Sequence, residues 1–162
     1  MNPFRAGTIT FGRSAILTLI FCSFGGCDAG RPSPRVFSNA VELRKYLERG
    51  GDPNGMTKEE WYKGRRTLLH EAAIYGDEKI IKMLLAAGAN PNRIDSEGRT
   101  PLMTVLATHE ENPSRREIIS CLLKVSDLAI KDEDGMSAYD YAKKYGAAAE
   151  IELVREAMES RF

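Results

Sequence analysis

His70 and Glu71 open the stretch "HEAAI", the first place in this chain where residue types and spacing suggest chemistry. A zinc-hydrolase helix needs H-E-x-x-H. Two imidazoles one turn apart then bind the metal from one face, and the glutamate takes a proton from the bound water. Here the fifth position is Ile74, so the second ligand is missing. His109 is the only other histidine and stands beside Glu110 and Glu111, far along the chain. Two histidines so placed assemble neither a metal centre nor a catalytic triad. Glu59/Glu60, Glu110/Glu111 and Asp132/Asp134 are the right types for general acid and base. They fall in polar, turn-rich stretches, where solvated charges are far commoner. No phosphate-cradling glycine loop is present. The expectation is a non-enzyme without metal or cofactor.

The three cysteines are the other reactive groups: Cys22, Cys27 and Cys121. Cys121 lies in "IISCLLK" among apolar neighbours and reads as a half-buried helix thiol. Cys27 ends "FCSFGGC", where an apolar run meets a charged one. It could bridge to Cys121 in an oxidising compartment, or it could serve as an attachment point.

The elements around these residues narrow the choice. Lys plus Arg equals Asp plus Glu, 23 against 23, so there is no global basic field to hold nucleic acid. Residues 1–26 carry Arg5 and Arg13 and no acid, and Ser14 to Cys27 is a run of 14 uncharged residues. That is short of the roughly 20 apolar residues a permanent membrane span needs. A basic start, a short apolar run and small residues at its end describe a cleaved export signal. "DAGRPSPR" (Asp28 to Arg35) follows, with two prolines and no apolar periodicity. It reads as an extended linker reaching about 25 Å.

From Val36 onward the chain repeats itself. "YLERGGDPN" (Tyr46 to Asn54) matches "LLAAGANPN" (Leu84 to Asn92) at a shift of 38. "TLLHEAAIYG", "TPLMTVLATH" and "SAYDYAKKYG" form a second matched set beginning at Thr67, Thr100 and Ser137. Such a period marks a stack of repeated units. Within it, apolar stripes at helical spacing occur at Val41/Leu43/Tyr46/Leu47, Ile80/Ile81/Leu84/Leu85, Ile118/Ile119/Leu122/Leu123 and Ile151/Val154/Met158. Asp77 is placed to cap one helix. Gly50 and Gly88 are placed to end two others, and the Asp-Pro and Asn-Pro pairs after them forbid continuation.

These residues resemble the ankyrin repeat, whose mark is T-P-L-H-x-A near a 33-residue period. Thr67, Leu69, His70, Ala72, Ala73 and Gly76 carry the first-helix pattern. Leu84, Leu85, Gly88, Ala89, Asn90 and Asn92 carry the second helix and its turn. Leu68 replaces the usual proline, and Met103 stands where unit three should have histidine. The resemblance implies an all-α solenoid of paired antiparallel helices with hairpin-like fingers, about three and a half repeats long. Its parts would be a half-repeat at 36–54, an enlarged finger at 55–66 and a repeat at 67–92. A repeat with an insertion at 93–130 and a capping repeat at 131–162 would complete the domain 36–162. By the same resemblance His70 has a structural task, its ring bonding turn backbone and tying neighbouring fingers together.

The resemblance also implies a protein partner, met by the fingers and the late first helices. Those positions hold Arg65, Arg66, Ile74, Tyr75, Glu97, Arg99, Met136 and Tyr145, with Trp61 and Tyr62 in the enlarged finger. Trp, Tyr and Arg dominate binding hot spots, although Trp61 and Tyr62 could equally pack the long finger. "FGGC" resembles the lipobox of bacterial lipoproteins, with Phe24 at the position where leucine is usual. That resemblance implies a signal peptide at 1–26, cleavage after Gly26, a lipidated Cys27 and a tether at 27–35. The expected protein is exported and periplasm-facing, on the inner or outer membrane. It is monomeric, binds no nucleic acid, and acts as an immunity or inhibitor protein that occludes a secreted effector enzyme. The alternative is an envelope scaffold or stress-accessory protein supporting a periplasmic enzyme, and a hydrolase stands third.

Overall fold

Seven short helices, three pairs and one single, make up the described residues of a computed structural model, which are 39–57, 65–75, 77–108 and 112–161. The segment 1–38, with Cys27 and the tether, lies outside them, as do Trp61, Tyr62 and His109–Glu111.

In chain order the helices are α1 (Ala40–Glu48), α2 (Leu68–Tyr75), α3 (Glu78–Ala86), α4 (Pro101–Ala107), α5 (Arg115–Leu123), α6 (Ala138–Tyr145) and α7 (Ala148–Glu159). They stack in two rows. An inner row packs α2 on α4 and α4 on α6; an outer row packs α1 on α3, α3 on α5 and α5 on α7. The pairs α2/α3, α4/α5 and α6/α7 are the repeated units, and α1 is the half-unit at one end. This is the all-α solenoid of paired helices that the resemblance implies.

Local chemistry sets each boundary. Asp77 caps α3 by accepting the Ile80 N–H at 2.8 Å, and Thr100 caps α4 through Met103 N–H at 3.3 Å. Pro101 opens α4 at a position whose N–H would be unpaired anyway. The helices α1 and α3 end alike. Gly50 and Gly88 hold positive φ, 81° and 91°, so the next amide folds back to the helix: Gly51 N–H to Tyr46 O at 3.0 Å, Ala89 N–H to Leu84 O at 2.9 Å. Only glycine takes that backbone without strain.

The core runs continuously between the rows. Leu69, Ala73, Leu102, Leu106 and Ala142 meet it from the inner helices, and Leu43, Ile81, Leu84, Ile118, Leu122 and Val154 from the outer. Full burial of each leucine or isoleucine contributes about 1.5–3 kcal/mol. One expectation about faces needs correction. Val41 is 57% exposed and stands outside the α1 stripe. α2 shows no polar face from Leu68 to Ile74, since neighbours cover it on every side. No helix among the described residues is long and apolar enough to cross a membrane.

The turns are laced together as well. Asp52, Asn90 and Asp127 each accept the N–H two residues on, from Asn54, Asn92 and Ala129, at 2.8–2.9 Å. Asn54 and Asn92 then reach the following turn: Asn54 Oδ1 accepts Asn90 N–H, and Asn92 Oδ1 accepts Asp127 N–H, each at 2.7 Å. Ala129 has no side-chain oxygen, and the ladder stops there.

Candidate protein-binding surface

Between successive units the chain projects a finger, and one aspartate builds the base of each of the last two. Asp95 N–H donates to Arg99 O at 2.9 Å, while Asp95 Oδ1 accepts from the Glu97 and Arg99 amides at 2.9 and 3.0 Å. Asp132 repeats this one unit on. Its N–H donates to Met136 O at 3.0 Å, and its Oδ1 accepts from the Asp134 and Met136 amides. Burial alone would raise the Asp132 pKa. The hydrogen bonds from Tyr141 and these amides outweigh it and hold the carboxyl below its ordinary value. Tyr141 shifts in the reverse direction: burial first, then the bond to Asp132 at 2.6 Å, push its phenol upward.

Gly98 explains how closely the fingers stack. Its φ is +74°, and a Cβ there would lie 2.9 Å from the Glu133 backbone nitrogen of the next finger. In the first finger, Thr57 N–H donates to Arg66 O at 2.9 Å, and Met56 pairs with Thr67 as an antiparallel bridge.

His70 links a helix start to the following finger. Thr67 N–H points at Nδ1 from 3.2 Å, so Nδ1 is the acceptor and the proton sits on Nε2. Nε2 then donates to Arg99 O at 2.9 Å. Burial is the main reason the ring's pKa falls, to about 4, despite the favourable Arg99 carbonyl and Asp95. His70 is therefore neutral near pH 7 and has no free nitrogen for a metal. Met103, at the same position of α4, offers only sulfur, which accepts weakly from Thr100 N–H at 3.5 Å.

The far ends of the inner helices are braced by the insertion in unit three. Asn112 Nδ2 donates to Ile74 O at 3.1 Å, at the end of α2. Arg115 donates to Thr108 O and Leu106 O at the end of α4, and its other edge forks onto Glu150 of α7 at 2.7 and 3.3 Å. Neither Arg115 nor Glu150 is more than a fifth exposed. The repeat pattern singles out none of Asp95, Asn112, Arg115 and Glu150, and Asp132 reads from it as a solvated turn charge. The D-x-x-G spacing of Asp95–Gly98 and Asp132–Gly135 is a usable signal for the finger aspartates.

The residues expected to face a partner divide. Tyr75 is 54% exposed at the end of α2, and Arg65 is exposed on the first finger. Arg66 is mostly covered, its guanidinium 3.8 Å from the Glu71 carboxylate. Glu97 and Arg99 are brought together: the Arg99 Nη2 lies 2.8 Å from Glu97 and 3.0 Å from Asp95. The Arg99 charge is thus engaged inside its own finger. Met136 is half-buried at the finger base, and half-buried Tyr145 carries the Lys144 ammonium 4.9 Å above its ring. Ile74 is a correction. At 4% exposure it packs into the stack and has almost no surface to offer. Trp61 and Tyr62 lie outside the described residues.

Paired helices at a fixed repeat, with fingers braced on their neighbours, define a helical repeat solenoid. A family model described as ankyrin repeats (3 copies) matches residues 36–123 and 69–159. The chain belongs to the ankyrin-repeat family, and its class is that of a protein-binding module. Rabankyrin-5 of Mus musculus is 32% identical over 143 residues, covering 86% of this chain and 10% of its own length. Cyclin-dependent kinase 4 inhibitor B of Homo sapiens is 34% identical over 73 residues, 45% of this chain and 49% of that protein. The transient receptor potential cation channel subfamily A member 1 of Homo sapiens is 37% identical over 70 residues, 43% of this chain and 6% of the channel. The chain therefore spans from a few per cent to about half of these relatives.

Proposed function

We propose that the chain is a periplasm-facing ankyrin module, tethered through a lipidated Cys27, that inhibits a secreted effector enzyme by covering it. The observation that carries the binding reading is the finger-and-helix surface itself. Its aspartates, His70 and Arg115 brace the backbone with hydrogen bonds, while Arg65 and Tyr75 are exposed at the edge. A surface held rigid before contact loses little entropy on binding. The inhibitor reading draws support from the relative whose name is that of a kinase inhibitor, 49% of which is matched by this chain. The tether rests on "FGGC" at the end of the 14-residue uncharged run, and on the proline-containing linker that would hold the stack away from the bilayer.

The test is cross-linking and capture from an envelope fraction with the full chain and with Tyr75→Ala. One enzyme partner should be recovered, its activity should fall on binding, and Tyr75→Ala should weaken binding by about 1–2 kcal/mol with an unchanged melting temperature. Capture of a partner whose activity is untouched would favour the scaffold reading. For the anchor, Cys27→Ser should move the protein out of the membrane fraction, and retention there would rule the lipid out.

A further inference from the structure

Asn54 is the one asparagine in the chain followed by glycine. Asn2, Asn90 and Asn112 precede prolines, Asn39 precedes Ala40 and Asn92 precedes Arg93. The difference is chemical. An asparagine loses its side-chain amide when the next residue's backbone nitrogen attacks its Cγ. A proline nitrogen carries no proton to give up, a side chain on the following residue hinders the approach, and glycine has none.

Asn54 also links the turn after α1 to the turn after α3. Its Nδ2 donates to Gly88 O at 3.1 Å, and its Oδ1 accepts Asn90 N–H at 2.7 Å. The attacking group is engaged too, with Gly55 N–H donating to Asp52 O at 2.9 Å. In the docked arrangement both reaction partners are held in hydrogen bonds to other atoms. Lifting the turn after α1 from the turn after α3 frees the Asn54 amide, and the Gly55 N–H, bonded within its own turn to Asp52 O, is freed when that loosened turn opens.

We propose that Asn54 is a site of spontaneous deamidation whose rate is set by the docking of the α1 half-unit on unit two, and whose product loosens that docking. In the reaction the Gly55 nitrogen bonds to Asn54 Cγ and loses its proton, and Nδ2 leaves as ammonia. The resulting succinimide is opened by water to aspartate or isoaspartate. One water enters, one ammonia departs, and no redox change occurs. The aspartate has no N–H for Gly88 O and sets a negative oxygen against that carbonyl, while isoaspartate lengthens the backbone within the turn. In α1 only Leu43 is fully buried, with Ala40, Tyr46 and Leu47 packed partly buried beside it, so the half-unit has a small apolar interface.

The full chain would be incubated in mildly alkaline buffer, folded and in urea, and mapped by peptide mass spectrometry. Conversion at Asn54 should lead all other asparagines in urea and run at least about tenfold slower in the folded protein. Equal rates in the two states, or an intact Asn54 in urea, would overturn the gating. Separately, Asn54→Asp should speed amide exchange across Ala40–Glu48 by about tenfold and leave α4 to α7 unchanged. Unaltered α1 exchange in both the variant and the aged protein would overturn the loosening, as would loss of protection throughout the stack.

Discussion

His70 lies between two backbone groups that want opposite things from it: Thr67 N–H needs a lone pair, and Arg99 O needs a proton. Only the neutral ring satisfies both. Protonation would set Nδ1–H against Thr67 N–H, which agrees with a pKa lowered, chiefly by burial, to about 4 from 6.5. Between those values the unfolded chain binds more protons than the folded one. The His70 contribution is therefore fully present above pH 6.5, declines as pH falls, and is lost near pH 4, a total of about 3 kcal/mol. Denaturant melts across this window should show that slope. His70→Ala should flatten it while lowering stability near pH 7 by about 2–3 kcal/mol, since two buried backbone groups lose their partner. Gly98 makes a second demand at this scale. Its φ of +74°, and the Glu133 nitrogen 2.9 Å from where a methyl group would sit, leave no room for alanine. Gly98→Ala should cost more than the roughly 1 kcal/mol typical of a left-handed position alone, read as a drop in melting midpoint.

Arg115 and Glu150 tie α4, α5 and α7 together, and they show what element-level chemistry the repeat pattern hides. Glu150 also accepts Ala147 N–H at 3.1 Å at the start of α7, so one carboxylate serves a helix start and a cross-unit fork. Removing it leaves a largely covered guanidinium without its counter-charge. Glu150→Ala should cost about 3 kcal/mol. Arg115→Ala with Glu150→Ala should cost clearly less than the sum of the two single changes, and a double-mutant cycle by urea denaturation measures the difference. The elements themselves are legible in the sequence because their signals are local. A cap such as Asp77, a left-handed glycine such as Gly88, and an Asn-Pro stop act within four or five residues, so spacing suffices to read them. The Arg115–Glu150 pair is not legible: its members are 35 residues apart in sequence, on helices whose mutual placement exists only in the stack. The expectation for Ile74 fails for a related reason. Sequence distance to a finger says where a side chain starts, and only the neighbours of α2 decide whether any of it stays in water.

At the scale of the whole molecule, each unit touches only the next, so stability should be graded along the stack and not shared evenly. α4 sits in the middle of the inner row with α2 on one side and α6 on the other, and six of its residues are buried. α1 is the half-unit at the end of the outer row, meets α3, and buries only Leu43. Leu43 and Leu102 are both fully buried leucines, which makes them a matched pair for testing the grading. Each truncation to alanine removes the same atoms, and the cavity cost in a well-packed site is about 2–5 kcal/mol. The difference lies in what each loss is coupled to. Leu102→Ala weakens two unit interfaces at once, so the stack should unfold in one transition at a lower urea midpoint with an unchanged slope. Leu43→Ala weakens one terminal interface, so α1 should detach first. The main transition should then keep its midpoint nearly intact while the slope falls, because less surface remains to be exposed. Far-ultraviolet dichroism and amide exchange would follow the two steps independently. Identical single transitions for both variants would mean that α1 is bound to the stack as firmly as α4, and that the half-unit is an integral part of one cooperative body.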